Sequence, residues 1–178
     1  MRAKIGIIGA GYVGGAIASA LSDCDVAILD QDPSRGKATY AEVKTCRGIF
    51  VCVSSPTTDD GRCDTSNLES VLEKLEGYTG VIISKVTAPP DVYEGLNKRY
   101  PNLVYSPEFL TAANAIVDYM RTPFIIVGGS VIAYCNEAVR LIEMSLGREV
   151  PTQICSIAEA AFIKYLMNSY LATKAVLS

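Results

Sequence analysis

Lys4-Ile-Gly-Ile-Ile-Gly-Ala-Gly-Tyr-Val-Gly-Gly15, followed by Asp30 at the end of the next apolar run, Val26-Ala-Ile-Leu-Asp30, reads as a strand, a glycine turn and a helix in immediate succession. The apolar strand Ile5 to Ile8 runs into Gly9, Gly11 and Gly14, and an alanine-rich helix (Ala16, Ile17, Ala18, Ala20, Leu21) begins at once. In this pattern Gly9 permits the tight turn, Gly11 leaves room for a pyrophosphate against bare backbone, and Gly14 lets helix and strand pack closely. Amides at the helix start, Tyr12 and Val13 among them, face the phosphates with the positive end of the helix dipole behind them.

A glycine motif by itself also serves ordinary turns, so the weight falls on its surroundings. Asp30 lies about 20 residues past the first glycine, where a dinucleotide-binding unit places the acid that accepts from the adenosine ribose hydroxyls. A carboxylate there repels a 2′-phosphate, which favours NAD over NADP. Arg35, just beyond, suits stacking on adenine or holding such a phosphate. The competing reading of Asp30 is a turn cap ahead of Pro33.

With 178 residues, 49% of them apolar, the chain buries a core of one domain or slightly more. Sixteen basic against nineteen acidic residues give a net charge of −3 with no basic run, which argues against nucleic acid and anionic membrane as partners. Met1-Arg-Ala-Lys4 leads straight into a short strand, unlike a signal peptide, so a cytoplasmic location is expected. There is no histidine, and the six cysteines show no CxxC spacing. That excludes Ser-His-Asp and Cys-His catalysis and imidazole-held zinc, no metal site is expected, and the cysteines read as reduced thiols.

Strand-like runs near 3–8, 26–30, 48–53, 80–84, 102–105 and 124–128 alternate with helical patterns near 12–22, 64–77, 90–99 and 130–146. This alternation predicts an α/β fold, a Rossmann-type doubly wound and mainly parallel sheet with helices on both faces. Leu68, Val71, Leu72 and Leu75 form one helical stripe behind the start signal Asp64-Thr-Ser66. The expected division is a coenzyme-binding domain over 1–155 and the start of a long central helix over 156–178, with a substrate-binding carboxy-terminal domain expected to be absent from the chain. That helix is apolar on nearly every face, with Glu159, Lys164 and Lys174 its only charges. It is short of unbroken apolar length for a membrane span, so it calls for a cover of protein, either a second copy paired into a homodimer through 156–178 or further chain beyond Ser178.

Three polar segments fall where parallel strands end, the edge on which open α/β sheets bind ligands. They are Val53-Ser-Ser-Pro-Thr-Thr58, Ser84-Lys-Val-Thr-Ala-Pro-Pro90 and Tyr105-Ser-Pro-Glu-Phe-Leu110. Ser55 and Pro56 suit either a loop passing the nicotinamide-side phosphate or a plain strand-ending turn. Thr87 has its hydroxyl held by the double proline, or is simply a solvated loop threonine. Glu108 has apolar neighbours that would raise its pKa and fit it for proton transfer, whereas spacing alone favours a helix cap. Lys164 and Asn168, four apart, share a helix face and can point at one substrate oxygen; a lysine stem reaching the surface is the alternative.

Taken together, GAGYVG at 9–14, Asp30 with Arg35, FVCVSSPT at 50–57 with Asp64, SKVTAPP at 84–90, YSPEFL at 105–110, Ala115 with Asp118 and KYLMNSYLATK at 164–174 make the chain resemble the amino-terminal half of the UDP-glucose/GDP-mannose dehydrogenase family. Members oxidise the primary alcohol of a nucleotide sugar to a carboxylate in two steps, with two NAD and a cysteine thioester. The resemblance implies that Glu108 and Thr87 position the hydrolytic water, that Lys164 and Asn168 stabilise the oxyanion at the sugar's terminal carbon, and that Phe109 and Leu110 line the sugar pocket. UDP-glucose is the implied substrate. The sequence also departs from the family pattern. No cysteine matches the family's nucleophile, which lies in a glycine-rich segment downstream, so the 178-residue chain is not expected to complete the oxidation alone. Thr111-Ala-Ala113 lacks a second acid usual after the glutamate motif, Phe124-Ile-Ile126 lacks an arginine, and Ala161 stands where a glutamate is usual. Two other readings are a catalytically incomplete, stand-alone NAD-binding module and a hydroxyacid-type dehydrogenase. The retained Lys164, Asn168 and Glu108 count against the first, and Tyr12-Val13 with SPEFL against the second.

Overall fold

The computed structural model describes residues 4–177. Ala3 and Ser178, at the outer ends expected for the first strand and last helix, lie outside them. Among the described residues seven strands form one sheet in the order β2-β1-β3-β4-β5-β6-β7. The strands are β1 (Lys4–Ile8), β2 (Asp25–Leu29), β3 (Gly48–Val51), β4 (Val81–Ser84), β5 (Leu103–Tyr105), β6 (Ile125–Gly128) and β7 (Thr152–Cys155). The pairs from β2 to β5 are parallel, β6 meets β5 antiparallel at Tyr105 and Gly128, and β7 runs parallel to β6.

Strand alternation assigns each face its own core. Ile5, Ile7, Phe50, Ile83, Val104 and Val127 point to one side, against Ile17 of α1 (Tyr12–Ala20), Tyr119 of α5 (Ala115–Met120) and Leu141 of α6 (Ile132–Leu146). Ile49, Val51, Ile82, Tyr105 and Ile126 point to the other, against Val43 of α2 (Tyr40–Val43), Leu72 of α3 (Ser66–Lys74), Tyr93 of α4 (Pro90–Arg99) and Ala160 of α7 (Ile157–Leu177). With helices on both faces the strands are apolar on both, as doubly wound sheets require, and each buried aliphatic side chain contributes about 1.5–3 kcal/mol of transfer free energy.

Three elements are additions to the sequence expectation. Strand β7, with Thr152 and Gln153 exposed, has no apolar alternation to betray it. Helices α2 and α5 have four and six residues, too short to show a period. Helix α7 qualifies the expectation of an all-round cover. Its start is fixed by a capping box, in which Ser156 Oγ accepts from Glu159 N and Glu159 Oε2 accepts from Ser156 N. Ile157, Ala160, Ala161 and Lys164 are buried against α4, β5 and β6, while Phe162, Leu166, Tyr170 and Leu171 stay half exposed or more.

Candidate functional site at the carboxyl edge of the sheet

Strands β1, β3, β4 and β5 end side by side, and the main chain stays hydrogen-bonded one residue further: Cys52 N donates to Ile8 O, Lys85 N to Val51 O and Ser106 N to Ser84 O. The three polar segments named above therefore leave the sheet on one edge, next to the glycine turn. That turn lies where the strand order reverses between β2 and β3, the crevice that parallel sheets offer to ligands.

The glycine turn has the geometry its chemistry demands. Gly9 takes φ +89°, and a side-chain carbon on Gly14 would stand 1.9 Å from Gly9 O. Gly11, by contrast, is the N-cap of α1 and has nothing within 4 Å of its would-be side chain, so backbone is bare there. Tyr12 is exposed and Val13 half-buried at the helix start. Asp30 abuts the turn: its Oδ2 accepts from Ala10 N at 2.5 Å and its Oδ1 from Asp32 N at 2.8 Å. Asp30 thus caps its own turn as well as bordering the glycines. Open backbone at Gly11, free amides at the helix start and an adjacent acid fit a dinucleotide. Arg35 pairs with Asp32 at 3.4 Å on the surface. Ser55 is half-buried and Pro56 exposed in the loop after β3, where Pro56 O accepts from Asp64 N.

Glu108 and Lys164, 56 positions apart, form an ion pair at 3.0 Å. Lys164 Nζ also donates to Glu108 O and lies 5.1 Å from the centre of the Phe109 ring. At 5% exposure the ammonium points into the protein and its stem does not reach outward. Phe109 and Leu110 line a cavity of about 290 Å³ together with Glu108, Lys85, Phe124 and Met167. Thr87 is half-buried, with its carbonyl accepting from Cys63 Sγ at 3.2 Å. Asn168, one turn beyond Lys164, is exposed.

Two residues of this cluster escaped the sequence reading. Lys85 is buried, donates to Ser106 Oγ at 3.0 Å and is pushed down to about 8 by burial, with Glu108 opposing the shift. Its signal is a lysine directly after the short strand Val81-Ile-Ile-Ser84, whose residues are all buried. Tyr105 is fully buried and stacks on Tyr93 at 4.3 Å; as the last residue of a core strand it looked like packing alone. Two cations and one carboxylate thus meet at the edge of a mostly apolar cavity, an arrangement able to stabilise negative charge on a bound oxygen. Cys52, beneath the turn, is driven up to about 12 by burial, so it is a thiol and no nucleophile. All six cysteines are free.

Residues 34–143 match the model of the UDP-glucose/GDP-mannose dehydrogenase family, NAD binding domain. The Bacillus subtilis protein YtcA is 30% identical over 96% of this chain and 50% of its own length. A UDP-glucose 6-dehydrogenase of Rickettsia bellii is 29% identical over 75% of this chain and 33% of its own length. In fold the chain is similar to a UDP-glucose dehydrogenase from Pyrobaculum islandicum, with TM-score 0.81 at 21% identity over 97% of this chain and 50% of that one. It is likewise similar to GDP-mannose dehydrogenase from Pseudomonas aeruginosa, with TM-score 0.80 at 20% identity over 99% and 51%. The chain spans about half the length of these structures and of YtcA.

Proposed function

Because the chain belongs to the UDP-glucose/GDP-mannose dehydrogenase family and carries its NAD-binding domain, we propose that it serves a nucleotide-sugar 6-dehydrogenase, with UDP-glucose as substrate and a two-step, four-electron oxidation as its reaction. The observation that carries this reading is the part-buried Glu108–Lys164 pair on the same sheet edge as the glycine turn. A pure coenzyme binder has no use for a desolvated lysine aimed at a carboxylate beside a cavity.

In this reading the amides after Gly11 and the Asp30 carboxylate hold NAD, which when bound supplies the hydride acceptor. Lys164 donates to the oxygen on the sugar's terminal carbon and stabilises negative charge there, and Asn168 adds a donor once substrate covers its exposed amide. Lys85 reinforces the positive field from the sheet side. Glu108 and Thr87 orient the water of the hydrolytic step, and Phe109 and Leu110 pack on the sugar. Ser55, Pro56 and Thr87 border the nicotinamide side, and Arg35, once released from Asp32, reaches the adenine. A covalent step would need a thiolate, which the half-buried Cys52, its thiol held protonated by desolvation, does not provide. We place the protein in the cytoplasm, which its free thiols suit; no helix among the described residues is long and apolar enough to cross a membrane.

Calorimetric titration tests the reading. The chain should bind NAD well and NADP at least tenfold more weakly, and Lys164→Met should weaken UDP-glucose in the presence of NAD without changing NAD affinity. Equal affinity for NAD and NADP would overturn the coenzyme assignment. Steady release of a sugar acid by the 178-residue chain would overturn the requirement for an outside thiolate.

A further inference from the structure

Among the described residues two buried side-chain oxygens have no hydrogen-bond partner, Tyr105 Oη and Glu108 Oε2. Buried polar atoms are nearly always satisfied, by protein or by ordered water, and two orphans in one molecule call for an explanation. These two belong to one neighbourhood. The Glu108 charge is among the causes that push the Tyr105 phenol upward, second to burial, and the Thr87 side chain opposes the shift as a hydrogen-bonding neighbour that falls short of a formed bond. Glu108 is fixed from its other oxygen, since Oε1 is held by Lys164. Tyr105 is fixed as well, by its place at the end of β5 and by the stacked Tyr93 ring. Neither side chain is free to turn elsewhere for a partner. A phenol both donates and accepts, an ionised carboxylate only accepts, and one water between them satisfies both.

We propose that Tyr105 Oη and Glu108 Oε2 hold one water molecule beside Thr87, and that Tyr105 is a positioning residue for the hydrolytic step. The phenol donates to the water oxygen, and the water donates one hydrogen to Oε2, which orients its remaining lone pair and hydrogen. Thr111-Ala-Ala113 offers no second acid to share this task, and the phenol takes it from the sheet side. The role in hydrolysis rests on the enzymatic reading above; the water site itself does not.

The test is a double-substitution cycle with Tyr105→Phe and Glu108→Gln on the chain, joined to a high-resolution crystal structure. Expected are a density peak within hydrogen-bond distance of both oxygens that vanishes in Y105F while the Tyr93 stack persists, and shifts in Tm of the single variants that do not add. Additive Tm shifts, a phenol bonded directly to the carboxylate, or a higher Tm for Y105F would each overturn the proposal. NAD titration of the parent chain separates the two inferences: its failure to bind NAD would sink the enzymatic reading while leaving the water site standing.

Discussion

Gly14 and Lys85 carry the most stringent demands of single side chains. A methyl group at Gly14 would lie 1.9 Å from Gly9 O, a backbone atom that cannot rotate away. Gly14→Ala must therefore push α1 off β1, at a cost of about 1–3 kcal/mol by analogy with overpacked cores, and should weaken NAD binding by at least tenfold by displacing the amides at the helix start. Thermal melting and calorimetry measure the two effects. Lys85 makes a pH-dependent contribution. Burial lowers its pKa to about 8 from 10.5, so between those values the unfolded chain binds more protons at this site than the folded one, and stability from Lys85 rises with pH. Below pH 8 the folded protein bears the whole penalty of a buried charge. The buried thiols and phenols act oppositely above about pH 9, because burial raises theirs. Comparing urea midpoints of the parent and Lys85→Met cancels those groups: the variant should be relatively most stable below pH 8 and lose that advantage as pH approaches 10.5.

At the scale of elements, legibility in the sequence followed from length and periodicity. The glycine turn was readable because three glycines, a strand and a helix all constrain the same backbone, and α3 because four leucine or valine side chains repeat on one face. Strand β7 and helices α2 and α5 were not, since a four-residue edge strand and one or two helical turns leave no pattern to detect. For the cluster, Glu108 and Lys164 were each visible as odd polar residues, but only the docking of α7 on β5 and β6 reveals that they touch. That docking depends on Gly128, where an added carbon would come within 2.6 Å of Ala160 Cβ and 2.8 Å of Ile157 Cα. Gly128→Val should therefore lift the start of α7 from the sheet and part Lys164 from Glu108. The expected results are a lower melting temperature and faster amide exchange over 157–164, with β1 to β4 unaffected; retained protection of α7 would refute this dependence.

For the whole molecule, the two halves of α7 differ in what covers them. Up to Lys164 the helix is buried on α4 and the sheet, but Phe162, Leu166, Tyr170 and Leu171 are 50 to 60% exposed and Val176 85%. Large apolar side chains repeating along one long helix mark an interaction surface more often than chance exposure does. The same repeat on a second copy provides a matching partner without any further component, and isologous contact between two such helices closes as a dimer. The chain should then show twice its 19.0 kDa mass by light scattering at tens of micromolar concentration. Phe162→Asp with Leu166→Asp should return it to a monomer. Because both side chains project away from the core, the double variant should keep the parent far-ultraviolet circular dichroism and its NAD affinity, so loss of mass without loss of fold assigns the contact to this face. A parent chain that already scatters as a monomer would remove self-association from the functional picture and leave the exposed half of α7 as a surface for another protein.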